Sequence, residues 1–369
     1  MKKTALSLAI AAIICSPLVN ASSVEDRLAA MEQRINQLEQ RVASQDAVIQ
    51  EKEQQIEELQ SVAGQQASAS GGWADRVSVG GVVEVEANHV STGGSDTSDL
   101  YVATAELDIS AQVNNWTTAD VVLLWEDGDS GVNLDTATIT IADPDNIWAV
   151  TAGKTVVPFG VFAANTLSDP LTLELAETSE DAIIAGIESN GWTAGAYTYA
   201  GGRDDIGSYG LYAGFGQEID NLAYAFSVGY TNSLEDSDTL DAAGSSAHID
   251  AWYASLELTS GPFGLNAEYV AANDDFATTV FGSTAPVSPS AYYIEGAYNF
   301  SLAGKESVFA IGYSNSDESD EIGLAEKRIA TALSIGIMDN TALSFEYANE
   351  EAYDGTDTDT VTGQLAVEF

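Results

Sequence analysis

The chain has 369 residues, 57 acidic and 12 basic side chains, a formal net charge of -45 and 45% apolar residues. That charge argues against nucleic acid as a partner, because binding it needs basic side chains that displace counterions from phosphate, and against docking on anionic lipid. No run after the first twenty residues approaches the roughly 18 consecutive apolar residues of a membrane helix, so helical spanning is excluded.

Residues 1–21 read as a secretory leader: Lys2 and Lys3, an apolar run from Ala5 to Ile14, then Val19, Asn20 and Ala21 as a small-residue cleavage site. Cys15 falls inside that segment, so the mature chain, starting near Ser22, has no disulfide or thiol chemistry. Residues 22–63 carry a heptad. Val24, Met31, Leu38 and Leu59 take a positions, and Leu28, Ile35, Val42, Ile49, Ile56 and Ala63 take d positions, with Gln45 and Lys52 as polar exceptions. The pattern predicts a parallel coiled coil, about 60 Å long at 1.5 Å per residue, that makes a homo-oligomer, with a trimer favoured. A single charged helix or disordered spacer is the alternative. Residues 64–72 (GQQASASGG) read as a flexible linker.

From residue 73 to 369 the apolar period changes from 3.5 to 2. Sixteen strand candidates begin near Arg76, Asp99, Trp116, Val132, Asn146, Asp181, Gly191, Gly207, Leu222, Ala247, Phe263, Ala291, Glu306, Lys327, Thr341 and Asp359. Leu343, Phe345 and Tyr347 alternate with Ser344, Glu346 and Ala348; Tyr224, Phe226, Val228 and Tyr230 repeat the pattern. Their connections alternate too. Short ones, such as Asn114-Asn115 and Met338 to Asn340, separate long acidic ones, such as Ser91 to Ser98, Asn232 to Ser246 and Asn315 to Glu326. A transmembrane antiparallel β-barrel keeps its long loops at one end in this way. A soluble sandwich has no reason to do so. The fold class is therefore all-β, an outer-membrane barrel in contact with lipid and lipopolysaccharide, preceded by a periplasmic helix.

The stretch from Thr155 to Asp181 follows the fifth strand and holds two prolines, so no strand or continuous helix crosses it. Two placements are open: folded into the bore, or flat over the barrel mouth. In the first, Asp169, Glu174, Glu177 and Glu180, with Lys154 before them, form a pore-constriction loop, and Phe159, Val161, Phe162, Leu167, Leu171, Leu173 and Leu175 pack on the inner wall where Gly210, Gly214 and Gly229 leave room. Assigning the apolar parity to lipid puts Glu84, Glu86, Glu106, Asp108, Asp120, Glu257, Glu268, Glu295 and Glu346 in the lumen. Such a set focuses a negative potential that favours cations. The alternative is that acidity simply decorates every wet surface, as the outer loops are equally acidic.

His89 and His248 are the only histidines, no Ser or Cys motif stands beside them, and no metal or other cofactor site is expected. The Asp127-Gly-Asp-Ser-Gly and Asp354-Gly-Thr-Asp-Thr-Asp runs are too short for an EF-hand loop, leaving at most loose divalent binding.

At Gly71-Gly-Trp-Ala-Asp-Arg-Val-Ser-Val-Gly-Gly-Val-Val-Glu-Val-Glu-Ala, and again at Val157-Pro-Phe-Gly-Val-Phe through Ser168-Asp-Pro-Leu-Thr-Leu-Glu-Leu-Ala-Glu-Thr, the chain resembles the LbtU-type siderophore porins. The resemblance implies a sixteen-stranded barrel with a coiled-coil extension, and iron transport by passive uptake of a ferric siderophore without a plug domain. The expected function is a porin-like channel for small hydrophilic solutes, with general cation-preferring ion transport or a structural envelope-linking role as alternatives. Chemical crosslinking of the isolated 22–63 fragment tests the heptads: an oligomer is expected at micromolar concentration, because a lone helix would expose its apolar seam at about 25 cal/mol for each Å².

Overall fold

The computed structural model describes residues 76–202, 206–240, 247–281, 283 and 285–369. The leader, the heptads and the linker lie outside the described residues. Sixteen strands follow one another: β1 (Val77–Thr92), β2 (Ser95–Asn114), β3 (Thr117–Glu126), β4 (Asn133–Ala142), β5 (Trp148–Val156), β6 (Ser179–Ser189), β7 (Trp192–Ala200) and β8 (Ile206–Ile219), then β9 (Leu222–Thr231), β10 (Ala251–Ser260), β11 (Phe263–Ala272), β12 (Ser290–Leu302), β13 (Lys305–Asp317), β14 (Lys327–Met338), β15 (Thr341–Glu351) and β16 (Asp357–Glu368). Each pairs antiparallel with its sequence neighbours, and β1 pairs with β16 from Val82↔Glu368 to Thr92↔Thr358, closing the barrel. Closure leaves no free sheet edge.

Period-2 alternation decides the two faces. Phe226, Val228, Ile294, Ile311, Phe345 and Tyr347 project outward and are exposed, an apolar surface that only a bilayer would cover. Aromatic pairs bound this surface. Near the short turns lie Trp116 with Trp148 (6.0 Å between ring centroids), Trp192 with Phe215 (4.8 Å) and Phe263 with Tyr298 (5.2 Å). Towards the other end lie Tyr209 with Tyr230 (6.4 Å), Trp252 with Tyr269 (5.1 Å) and Tyr292 with Tyr313 (5.8 Å). Tyr209 and Phe215, Phe263 and Tyr269, and Tyr292 and Tyr298 are each six residues apart on one strand, about 20 Å at 3.3 Å per residue. On strands tilted about 40° this is about 15 Å along the membrane normal, inside an apolar band of about 25 Å.

Two expected boundaries shift. The long loop foreseen from Ser91 to Ser98 is a two-residue turn, because β1 and β2 continue to Thr92↔Ser95 around Gly93 and Gly94. Both glycines have positive φ, +57° and +85°, as a tight hairpin turn requires. The stretch expected from Thr155 to Asp181 is shorter, since Thr155↔Glu180 and Val156↔Ser179 still pair; the loop itself spans 157–178.

Inside the barrel lies a core that a simple pore would lack. Val157, Phe159, Leu171, Leu175 and Ala176 of this loop cluster with Tyr197, Tyr199, Tyr253, Val270 and Ala291 of the wall and with Leu234, Leu240 and Ile249 of the β9–β10 connection. Wall glycines make the space. A Cβ on Gly210 would stand 2.2 Å from the Tyr197 ring, and one on Gly229 2.3 Å from that of Tyr253. The tyrosines fill these hollows, and Phe159 meets Tyr253 edge-on at 5.4 Å. Each large apolar side chain buried there contributes about 1.5–3 kcal/mol.

Replacing Ile311, exposed on the outward face between Phe309 and Tyr313, by Arg is expected to cost about 2–4 kcal/mol. Urea titration of folding into lipid vesicles measures it.

Candidate functional site: a loop held in the bore

The loop at 157–178 leaves β5 and returns to β6, yet its hydrogen bonds run to β11, β12, β14 and β15, across the barrel. Pro158 and Gly160 turn it inward; Gly160 has φ +117°, and a Cβ there would collide with the Phe162 ring at 2.1 Å. Pro170 then starts a six-residue helix, Leu171–Ala176, whose Leu171 and Leu175 are fully buried. A proline suits a helix start because its missing N–H would be unpaired there anyway. Val161 is exposed, and Leu167 and Leu173 are half-buried, so they pack less than expected.

Three wall glutamates take the loop's backbone amides. Glu268 on β11 accepts from Val161 N at 2.7 Å and Phe162 N at 3.4 Å. Glu295 on β12 accepts from Asn165 N at 2.7 Å, Asn165 Nδ2 at 2.6 Å and Thr166 N at 3.2 Å, besides Tyr293 OH and Asn266 Nδ2. Glu346 on β15 accepts from Leu167 N at 2.5 Å, Ser168 N at 3.0 Å and Ser168 Oγ. All three are buried. Hydrogen bonds to an ionised acceptor contribute about 1.5–3 kcal/mol each, enough together to hold a loop that makes no ladder of its own.

Arg328 on β14 supplies a fourth anchor. Its guanidinium donates to Glu174 Oε1 and Glu350 Oε1, both at 2.6 Å, and to the carbonyl of Asp169. Arg328 was no candidate in the sequence; only its place opposite the loop gives it this role. Burial raises the pKa of Glu174, with Arg328 opposing that shift. The β9–β10 connection braces the loop from the outer side: Asp238 N donates to Glu177 O, Ser179 N to Asp238 Oδ1, and Tyr199 OH to Ser233 O.

Other residues fall elsewhere. Lys154 is on β5, opposite Asp181 and on the outward face with Val150, Ala152 and Val156, so it stands apart from the loop. Glu180 is the second residue of β6, opposite Thr155. Glu84, Glu86, Glu106, Asp108, Asp120 and Glu257 share the inward parity of Glu268, Glu295 and Glu346. Glu86 is tied to Tyr101 OH and Gln364 Nε2. Asp135 was missed. Val122 pairs with Thr136 and Leu123 with Leu134, leaving Asp135 as the extra residue of a bulge. Bulges re-aim a side chain; the charge of Asp135 acts on Glu177 of the loop. Two aspartate runs named above as loose divalent sites cap their own turns: Asp129 accepts from Glu126 N, and Asp354 from Thr356 N. Among the described residues no group of three or more His, Cys, Asp or Glu is placed to hold a metal.

No family model matches the chain. A UPF0422 protein of Coxiella burnetii is 25% identical over 307 residues, covering 75% of this chain and 65% of that protein. The UPF0422 protein lpl2888 of Legionella pneumophila is 23% identical over 293 residues, covering 69% and 55%. The chain thus spans less than two thirds of the length of these relatives. Among solved structures, Pseudomonas putida OprB at high pH superposes with TM-score 0.58 over 80% of this chain and 95% of that one, at 8% identity. An anion-selective porin from Comamonas acidovorans gives 0.55 over 79% and 99%, at 14% identity. The fold is that of the porins. The outer membrane channel DcaP of Acinetobacter baumannii matches it as well, with TM-score 0.53 over 79% of this chain and 97% of that chain, at 16% identity.

Burial, with the charges of Asp238, Asp169, Asp135 and Glu126, pushes Glu177 up to about 7. A raised carboxyl pKa means the folded state binds the proton more tightly, so this group costs stability as pH rises from 4.5 to about 7. The Glu177→Gln variant should unfold at the same denaturant concentration as the parent below that window and at a higher one above it.

Proposed function

We propose that the chain is a passive outer-membrane channel for small hydrophilic solutes that favours cations, with the 157–178 loop as its constriction. One observation carries the reading. Away from the loop's anchors, the inward faces of β1 to β4 present Glu84, Glu106, Asp108, Asp120, Glu126 and Asp135, and among the described residues Arg328, the basic side chain that reaches the loop, is already engaged by Glu174 and Glu350. A low-dielectric wall around unopposed carboxylates concentrates cations and repels anions. The Comamonas porin shares the fold and is named for the opposite selectivity, so the preference is argued from this chain's side chains and not from its neighbours.

The siderophore reading, from the resemblance at Val157 to Thr178, narrows to ferric complexes that are neutral or cationic, because an anionic complex would meet the same repulsion. Oligomerisation through the heptads and a periplasmic place for them complete the proposal.

Reversal potentials of the refolded protein in planar bilayers, under a potassium chloride gradient, test it. Potassium should be favoured over chloride, and less so below pH 7 as Glu177 protonates, or as salt shortens the Debye length below about 8 Å. Neutral or anion-selective currents would remove the electrostatic argument.

A further inference from the structure

The carboxylates of the bore are in two different states. Glu268, Glu295 and Glu346 are 7%, 1% and 5% exposed. Glu295 accepts five hydrogen bonds, which uses up the roughly four lone-pair sites of a carboxylate. Glu346 accepts three, all from Leu167 and Ser168, and Glu268 two, from Val161 and Phe162. Glu295 and Glu346 have both oxygens met by N–H and O–H dipoles, and Glu268 has Oε2 met by two loop amides while its buried Oε1 accepts none; the loop lies between all three and the open part of the bore. Away from these anchors, Glu106, Asp108, Asp120 and Asp135 are partly exposed and Glu126 is exposed. The inward faces of β1 to β4 make no hydrogen bond to the loop among the described residues.

Resting on the channel reading above, we infer that these two groups do separate work: Glu268, Glu295 and Glu346 are positioning residues that set the aperture by holding the loop, while Glu106, Asp120, Glu126 and Asp135 decide which charge crosses. The physical reason is that a buried carboxylate covered by the loop amides it accepts from projects little field past those donors, whereas a half-solvated one beside a narrow path acts directly on the ion. Removing the first group's charge unpins the loop and widens the opening. Removing the second leaves the opening and takes away the filter.

Two sets of isosteric changes separate the roles: Glu268→Gln with Glu295→Gln and Glu346→Gln, and Glu106→Gln with Asp120→Asn, Glu126→Gln and Asp135→Asn. At Glu295 and Glu346 both oxygens accept from the loop, so an amide turns an N–H₂ towards one of the loop's own donors with little change in volume; at Glu268 both loop amides share Oε2, so Gln removes the charge and keeps an acceptor there. Conductance in molar salt, where the Debye length is about 3 Å, reports the cross-section. Reversal potential in dilute salt reports the fixed charge. The first set should raise molar-salt conductance severalfold, with several levels and a retained cation preference; the second should leave that conductance alone and move the reversal potential towards zero.

Loss of selectivity at constant conductance in the first set, or a conductance rise in the second, overturns the assignment. A parent protein without cation preference sinks the channel reading itself, whatever the variants do. Should the triple glutamine variant fail to resist heat in detergent, Asn165→Ala with Ser168→Ala removes donors on the loop side and leaves the wall intact. That pair should also raise conductance, and an unchanged value overturns the inference. An independent readout is the labelling rate of Ala164→Cys, an exposed loop position in a chain whose only native cysteine is Cys15. Labelling should accelerate when the anchors are neutralised; an equal rate counts against them.

Discussion

Scarcity of positive charge shapes this protein more than any other constraint. Only six basic residues follow residue 72, against an overall charge of -45. A carboxylate buried in a wall must be paired or hydrogen-bonded, and here there are too few guanidinium groups to go round. The chain answers with peptide N–H groups. Val161, Phe162, Asn165, Thr166, Leu167 and Ser168 turn their amides to Glu268, Glu295 and Glu346, so the backbone of an irregular loop stands where arginines would. Both partners gain. The loop's amides, which have no ladder to join, find acceptors, and the carboxylates find donors without any basic side chain.

The barrel was largely legible because a period of two is a strong signal when it is repeated around a closed sheet. Strand starts such as Leu222, Phe263, Lys327 and Thr341 coincide with the sequence reading, and others move by a few residues where a turn is tighter than its composition suggests, as at Gly93-Gly94. The outer limits of the constriction stretch were less so. Thr155 and Glu180 look like loop residues in sequence, but their strands extend that far because a partner is present across the ladder. Pairing is a property of two segments, and one segment read alone does not contain it.

The site residues divide along the same line. Inward parity was readable for Glu106 or Glu346, since each sits among alternating neighbours. Asp135 was not readable, because the parity of Ile139 and Ile141 carried back along β4 assigns it to lipid, and only the bulge against Val122 and Leu123 turns it. Lys154 erred the other way: it precedes the loop in sequence and so seemed part of it, while its alternation with Gly153 and Thr155 faces it outward opposite Asp181. Arg328 carries no local signal at all. Its contacts with Glu174 and the Asp169 carbonyl span more than 150 positions, a separation that only closure of the barrel brings together.

The same closure makes the seating of the 157–178 loop a shared property of two insertions. The 157–178 loop would be pinned at its tip by glutamates and Arg328, but its return to β6 rests on the β9–β10 connection through Asp238 and Glu177, and that connection is itself seated by Tyr199 and Ser208 of the wall. Gly201 allows the fit, since a Cβ there would stand 2.0 Å from Asp236 Oδ2. The apolar cluster then takes in both insertions and the walls of β6 to β8 and β10 to β12. Buried side chains therefore fill the bore on the side of these strands. The partly exposed inward carboxylates of β1–β4 thus lie where the hydrophobic residues did not go, and their grouping needs no arrangement of the charges themselves.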